Sequence, residues 1–565
     1  AESLTNLIWA PIEEGLEGVS LSANWMWPCK NKGEDSRLYK AVEAVSDFAC
    51  ALGINIPTGK DSLSMVQKYP DGKKVKAPGN VIISAVGQVS DITKVVEPVM
   101  ASEAGSQLLY VNLSGGNFEL GGSSFFQTIN AVGGDCPRVI SADKFGLTFN
   151  TIQQLIKEGA ILSGHDVSAG GLITAILEMT FGNPEVGFEV DLTRLHEDLI
   201  KALFSEQPGL IVQVSGEQTA SQLTDAGVDV ISLGRVTNQR QGVLKHGEFT
   251  MQLDIDALRD DWFSTSYHLD ANQTRPDLAK QRFDNYSSQP LQYVFSDSFH
   301  GTLSELGLTK TPAKSGVKAA IIREKGVNGD REMAYALYLA GFEVKDVHMT
   351  DLTSGRETLE DIQMAVFVGG FSNSDVLGSA KGWSGAFKYN EQAKKVLDNF
   401  YARQDTLSLG VCNGCQLMME LGLLYPGMQN HPTLHHNDSG KFESGFVNLT
   451  IPQNDSIMFS SMSGERLGVW VAHGEGKFEF DETQSESMKI AGVYSYDQYP
   501  GNPNGSDQSV AALCSVDGRH IAMMPHLERS IFPWQWPYYP EGRKSDEITP
   551  WIEAFVNARK WLELV

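Results

Sequence analysis

Nowhere does the 565-residue chain come near the roughly 18 consecutive apolar residues that a membrane span needs. Basic residues are also scarce: 45 Lys and Arg stand against 70 Asp and Glu, a formal charge of −25 with a pI of about 4.9. Such an excess of carboxylates repels phosphate backbones and argues against a nucleic-acid partner. Small phosphorylated ligands stay open, because they respond to the local site. Cysteine is sparse as well. Six (Cys29, Cys50, Cys136, Cys412, Cys415, Cys514) in so long a chain make no disulfide framework, and free thiols in a reducing cytoplasm are the simpler expectation. Ala1 to Glu14 lack the basic region and apolar core of a signal peptide.

What is present is ordinary in bulk, 41% apolar and 20% charged, and too long for one hydrophobic core, so several domains are expected. Glu2 to Ile8 reads as a helix with Leu4, Leu7 and Ile8 on one face and no strand before it to pack on. The expectation is that the chain starts inside a domain of something longer. Leu38 to Ala51 reads as helix, Val81 to Val89 as a buried strand, Leu113 to Ser124 as a Gly-rich loop. Thr148 to Gly159 and Leu172 to Phe181 read as helices, with Ala160 to Leu162 a strand between them. This is an α+β pattern. Residues 256–315 lack sustained periodicity and read as a connector. From Val317 the texture turns α/β, with strands at Lys318–Ile322, Ala365–Val368 and Leu407–Val411 alternating with helices at Gly329–Ala340 and Asn390–Arg403. That alternation argues for a mostly parallel sheet with its chemistry at the strand C-termini. The expected division is 1–100, 101–255, the connector 256–315, and 316–565.

At that sheet edge, strand Leu407–Val411 runs into Cys412, and Gln416 to Glu420 starts a helix at once. A strand–nucleophile–helix turn presents the sulfur, and the helix N-terminus favours a thiolate and stabilises an oxyanion. Cys412 and Cys415 form a Cys-x-x-Cys pair, which also fits half of a zinc site or a redox pair; a structural zinc needs two further ligands, and no second such pair exists. A merely buried thiol is the other bland alternative. The partners downstream favour catalysis. His526 and Glu528 close the strand Ile521–Met524, and in extended chain residues i and i+2 share a side. Glu528 then orients His526, which serves Cys412 as base and then acid.

Gly410-Val-Cys-Asn-Gly-Cys-Gln416, Val368-Gly-Gly-Phe-Ser372 and Pro525-His-Leu-Glu528 together resemble the class I glutamine amidotransferases. The resemblance implies that the Gly369-Gly370-Phe371 loop gives an oxyanion-hole N–H, assigned to Phe371. Arg323 to Asn328, Asp375 to Gly378 with Gly382-Trp383, and Tyr499 to Ser506 look like one branch, the large single-chain phosphoribosylformylglycinamidine synthase family. In the first half, Glu2-Ser-Leu-Thr-Asn6 resembles that family's magnesium segment. Glu2 and Asn6, four apart, put both oxygens on one helix face, which suits a hard cation bridged to phosphates. Leu21 to Trp25 and Thr58 to Met65 also look like the family, and Gly164-His-Asp-Val-Ser-Ala-Gly-Gly171 resembles the signature of the aminoimidazole ribonucleotide synthetase-like fold. Carried over by position, Asp166 is a magnesium ligand and Ser168 contacts the nucleotide.

The resemblance covers essentially the whole chain. It implies aminoimidazole ribonucleotide synthetase-like α+β domains followed by a class I glutaminase of α/β type. It implies ATP or ADP and Mg2+ as cofactors, with glutamine, formylglycinamide ribonucleotide and ATP as small-molecule partners, and an upstream half of the same enzyme as the remaining partner. The nucleotide of this second synthetase half is structural in the family. Three departures stand out: Ala169 replaces an Asp of the signature, and Asn373 and Ser374 replace an aromatic and a glycine beside the oxyanion loop. Three hypotheses compete: part of an amidoligase, a glutaminase subunit serving another ligase, and a non-catalytic nucleotide-binding scaffold. The Cys412, His526, Glu528 set argues against the scaffold, and the synthetase-like motifs argue against the second.

Overall fold

The computed structural model describes every residue except 429, 430, 482, 483, 485 and 486, and for residue 541 the backbone alone. The chain falls into two compact units, Ala1–Phe263 and Ser264–Val565. Among the described residues no helix is long and apolar enough to cross a membrane.

In the first unit the sheet alternation decides the layers. Seven strands run in the order Phe249–Leu253, Gly242–His246, Gly187–Asp191, Val230–Thr237, Gln107–Asn112, Gly209–Val214, Ser163–Asp166. Successive side chains of a strand point to opposite faces. Leu109, Val111, Leu210 and Val212 therefore pack with Phe145, Phe149, Ile152 and Ile156 of the helix Ala142–Glu158. Leu108, Tyr110 and Ile211 pack on the other side with Leu172, Ile176 and Met179 of the helix Gly171–Phe181. Both faces are covered, and the strand Ser163–Asp166 delivers Asp166 at its C-terminal end. The short strand expected at Ala160–Leu162 lies a few residues later, because the ladder with Gly209–Val214 forms over Ser163–Asp166. A separate three-stranded sheet orders Asn55–Ser62, Val19–Met26 and Asn80–Gly87. The buried strand expected at Val81–Val89 is corrected here. Ile83 and Ala85 pack inward, whereas Ile82 and Val86 are exposed at 50% and 68%, since only one face of this sheet is packed.

The expected connector is substantially helical, over Ile255–Asp270 and Pro276–Asn285. Few apolar positions mark these helices: Ile255, Leu278 and Ala279 are their buried residues, too few to write a 3.6-residue period. Pro276 at the first turn presets helical φ.

The second unit is built on one nine-stranded sheet, labelled in chain order β1 (Lys318–Arg323), β2 (Glu343–His348), β3 (Met364–Phe367), β4 (Leu407–Val411), β5 (Glu443–Thr450), β6 (Arg466–His473), β7 (Lys489–Tyr494), β8 (Val510–Cys514) and β9 (His520–Met523). Its order is β2-β1-β3-β4-β9-β8-β7-β5-β6. The first five strands are mutually parallel and the rest are antiparallel. The parallel half reads as continuous apolar sequence because both its faces are covered, and β3, β4 and β9 are buried along their whole length.

Helix Asn413–Glu420 follows β4 without a loop and lies hard against β3. A Cβ placed on Gly414 would sit 1.9 Å from the Phe367 carbonyl oxygen. Replacing glycine by alanine inside a helix ordinarily stabilises by about 1 kcal/mol. Gly414→Ala is expected to do the reverse and destabilise by about 3 kcal/mol in denaturant unfolding; a stabilised variant would show that this packing is wrong.

Candidate active site

Cys412 occupies the junction of β4 and the helix Asn413–Glu420 with φ 52° and ψ −108°, a backbone conformation costly for a residue with a side chain. The turn is held from both sides. Cys412 N–H donates to the Met523 carbonyl of β9 at 2.9 Å, and Gln416 N–H donates back to the Cys412 carbonyl at 3.0 Å. The first N–H groups of the helix, Asn413's among them, have no intrahelical acceptor and face the turn. Cys412 is 5% exposed, and its sulfur lies 3.5 Å from the Ala472 carbonyl oxygen of β6.

His526 follows β9 and is fully buried with Glu528. Its Nδ1 donates to Glu528 Oε1 at 2.7 Å, which fixes the proton on Nδ1 and leaves Nε2 for the sulfur side. Extended geometry is not what pairs them. The strand ends at Met523, and Leu527–Arg529 is a 3₁₀ turn, which brings the two side chains together by curling the backbone. His526 N–H donates to the Trp470 carbonyl of β6 at 2.8 Å, pinning the base to the same strand that touches the sulfur. Arg529 bonds Glu332 at 3.1 Å and Asn328 at 2.9 Å, anchoring the turn from outside. Burial alone would lower the His526 pKa, but the Glu528 carboxylate and then the Cys412 sulfur outweigh it and raise it to about 9. No hydrogen bond yet joins Nε2 to the sulfur, the usual slack of a site without substrate.

Gly369 makes this approach sterically possible. A Cβ there would meet His526 Cε1 at 2.7 Å and Cys412 Cβ at 3.3 Å. For Phe371, expected to give an oxyanion-hole N–H, the structure shows where that N–H goes. Residues 369–371 pair with 326–328 as a short bridge, and the Phe371 N–H donates to the Gly326 carbonyl at 2.9 Å. That N–H is therefore not presented to the sulfur. Beyond it, Asn373, Ser374 and Asp375 take φ of 53°, 57° and 47°, three successive left-handed residues without a glycine. Burial and Glu475 hold the Asp375 carboxyl above its ordinary range, against opposing hydrogen bonds from Ala380, Asn413 and Ser379.

Several residues that the sequence did not single out line the site. Asn413 accepts the Ser372 N–H at 3.2 Å and donates to Gln416 at 2.9 Å, and Gln416 donates to the Glu475 carbonyl at 2.5 Å. His473, next to Ala472, is buried against Asn437. The one available signal was the run His473-Gly-Glu-Gly476 closing an apolar strand.

In the first unit the structure brings Asn6 and Asp166 together, with Asn6 Nδ2 3.0 Å from Asp166 Oδ2. Glu2 enters this contact through its backbone carbonyl, which accepts from Asn6 at 2.9 Å. His165 lies beside Asp166 and 3.5 Å from Glu178. Ser168 shapes the turn into the next helix, its carbonyl accepting from the Gly171 N–H at 3.0 Å. Among the described residues no three His, Cys, Asp or Glu side chains cluster as a metal cage, and the six cysteines are free. The Asp166 carboxylate is the kind of oxygen donor a hard cation takes, while the Asn6 amide turns its nitrogen to it.

Three family models match: a CobB/CobQ-like glutamine amidotransferase domain over residues 316–562, an FGAR-AT PurM_N-like domain over 1–88, and the C-terminal domain of AIR synthase related proteins over 104–247. A probable phosphoribosylformylglycinamidine synthase of Arabidopsis thaliana is 40% identical across 100% of this chain, and the Homo sapiens phosphoribosylformylglycinamidine synthase is 38% identical across 99%. The chain belongs to the phosphoribosylformylglycinamidine synthase family. It spans 41% and 44% of the length of those two relatives, less than half. A solved Thermotoga maritima structure, "Structure of PurLQS", aligns with 44% of this chain and 99% of that chain at 25% identity, with a TM-score of 0.35 that is too low to argue from. Within the synthase family match, the amidotransferase model contains Cys412, His526 and Glu528 together.

A histidine raised from 6.5 to about 9 contributes its stability in full below 6.5 and loses it as the pH climbs to about 9. The destabilisation caused by Glu528→Gln, followed by denaturant unfolding across that window, is expected to shrink with rising pH; a penalty that grew would contradict the pairing. Ser374→Gly relieves a left-handed residue and is expected to stabilise by about 1 kcal/mol, read as a rise in Tm.

Proposed function

We propose that this chain is the glutaminase-bearing part of an enzyme that converts formylglycinamide ribonucleotide, glutamine and ATP into the amidine, glutamate, ADP and phosphate. The observation that carries the reading is the 2.7 Å His526–Glu528 hydrogen bond set beside a cysteine at a strand-to-helix elbow. In this reading Cys412 gives its proton to His526 Nε2 and its sulfur attacks the carboxamide carbon of glutamine. His526 returns the proton to the departing nitrogen, releasing ammonia and leaving a glutamyl thioester. Water then adds to the thioester with His526 again as base, and glutamate leaves as the thiol is restored. Glu528 keeps Nδ1 protonated throughout and stabilises the imidazolium. The N–H of Asn413, following the nucleophile at the helix N-terminus, is the oxyanion donor that the geometry favours over Phe371.

The first unit is read as the second synthetase-like half. The division 1–100, 101–255, 256–315 and 316–565 belongs to this proposal. Asn6, Asp166 and Glu2 would hold Mg2+ against the phosphates of ATP or ADP, where the ion neutralises charge, and Ser168 would contact the nucleotide. The upstream half of the enzyme supplies the remaining acceptor and nucleotide contacts, and the reaction is assigned to the cytoplasm.

Cys412→Ala is the test. In the chain combined with the upstream half, it is expected to cut glutamine-dependent amidine synthesis by on the order of 10³-fold or more, with ammonia-dependent synthesis intact. Glutamine-dependent synthesis surviving the substitution would sink the triad. Robust glutamine hydrolysis without amidine formation, in the presence of all substrates, would instead favour a glutaminase serving a different ligase.

A further inference from the structure

A cavity of the C-terminal unit lies at the far ends of the two strands that lead into Cys412 and His526. β4 and β9 pair in parallel, with Ser408 opposite His520 near their N-terminal ends. The strand rise from Ser408 to Cys412 is about 13 Å. There His520 lines a cavity of about 1060 Å³, whose apolar wall is supplied by Leu421, Leu423, Leu424 and Tyr425. Small-molecule sites typically measure roughly 300–1,000 Å³. The hydrogens around His520 can be followed one by one. Tyr401 Oη lies 2.8 Å from Ser408 Oγ, which lies 2.9 Å from His520 Nδ1. Ser408 is the partner of the phenol, and burial pushes the phenol's pKa up. The phenolic hydrogen goes to Ser408 Oγ, because the reverse order would strand a desolvated O–H without an acceptor. Ser408 then donates to Nδ1, so the neutral ring carries its proton on Nε2. Burial and Arg519 push the His520 pKa down to about 4, which keeps the ring neutral at working pH. Nε2 has no partner among the described residues, yet it is not a sealed atom. His520 is 4% exposed and lines the cavity, so that N–H opens onto the cavity. A histidine kept only for structure ordinarily has both nitrogens satisfied.

We propose that this cavity binds a small, neutral, planar molecule with a hydrogen-bond acceptor, a nitrogen heterocycle or an aryl ketone, which accepts from His520 Nε2–H. The leucine wall supplies the gain from burial, and the unspent N–H sets the orientation. The Tyr401 ring, 4.6 Å from the His520 ring, backs the imidazole and holds it in place. Neutrality follows from the charges that line the cavity. The Arg519 guanidinium is spent on Asp517 at 2.7 Å and on the carbonyls of Arg403 at 2.7 Å and Thr406 at 3.2 Å. An anion would meet the carboxylates of Asp398 and Asp517 there, and a cation would be pressed against a donor rather than an acceptor. The site does not depend on the thiol, although it shares both of the strands that lead to the proposed triad.

The probe is isoquinoline, titrated into the 565-residue chain combined with the upstream half, at a pH where the probe is neutral, and followed by ligand-observed NMR. Saturable binding is expected with a Kd on the order of 1 mM or tighter, as suits a fragment of this size. N-methylisoquinolinium, which lacks the lone pair, and 2-naphthoate, which carries a negative charge, are expected to bind at least about tenfold more weakly. Two variants locate the site. His520→Phe keeps a ring against Tyr401 and removes the donor; Leu423→Trp fills the cavity and leaves the relay intact. Each is expected to weaken isoquinoline about tenfold or more, and Leu423→Trp to keep or raise the Tm. Absence of saturable binding overturns the proposal, and so does a charged probe that binds as tightly as isoquinoline. Unaltered binding by Leu423→Trp overturns it too, and that variant decides the matter if His520→Phe does not fold. Alkylating Cys412 with iodoacetamide is expected to leave the titration unchanged; displacement of the probe would place it at the thiol and refute the site.

Discussion

A histidine and a glutamate sealed from solvent at a 2.7 Å hydrogen bond impose conditions that much of the C-terminal unit exists to meet. Removing water from an imidazolium opposes its charge, and the Glu528 carboxylate reverses that sign only while the pair is held close. The backbone around it is accordingly fastened at every step. Trp470 accepts the His526 N–H, Arg529 is tied to Glu332 and Asn328, and Gly369 leaves the space into which the ring fits. A buried pair so constrained gains little for net stability. Its value is orientation, since an imidazole fixed in one tautomer has one face left for chemistry.

Strand β6 is the second half of that arrangement. Its carbonyls at Trp470 and Ala472 meet the base and the nucleophile in turn. The first unit handles charge differently. Asn6 donates to Asp166 near the end of a strand, with His165 beside the same carboxylate, and among the described residues no three His, Cys, Asp or Glu side chains form a metal cage.

The parallel half of the second sheet was legible because fully buried strands leave unbroken apolar runs, as at Met364–Phe367 and Leu407–Val411, and because an elbow cysteine must sit where such a run meets a helix. Asn80–Gly87 misled for the same reason: its apolar run suggested two covered faces, and the structure covers one. The helices Ile255–Asp270 and Pro276–Asn285 were invisible because charge and exposure erased their periodicity. The His526–Glu528 pairing was legible, though its cause was not, since a 3₁₀ turn and an extended strand both bring residues i and i+2 together here. At Phe371 the motif could not tell which carbonyl, here that of Gly326, takes the N–H in this structure. His473 left only a faint mark, the His-Gly-Glu-Gly run that closes an apolar strand, because its contact with Asn437 is made across a loop.

The order of the nine strands carries one further consequence. β6 stands at the far edge of the sheet, four places beyond β9, yet it bridges to His526 just after β9 and touches the sulfur after β4. The antiparallel arm must therefore curl back on the parallel half, and the candidate site is the seam where the β6 edge meets the middle of the sheet. The five parallel strands by themselves lead into both the thiol and the histidine, while the carbonyls that meet the two belong to the antiparallel edge. The alignment of the two side chains is in this sense a property of closure, shared between strands that lie far apart in sheet order.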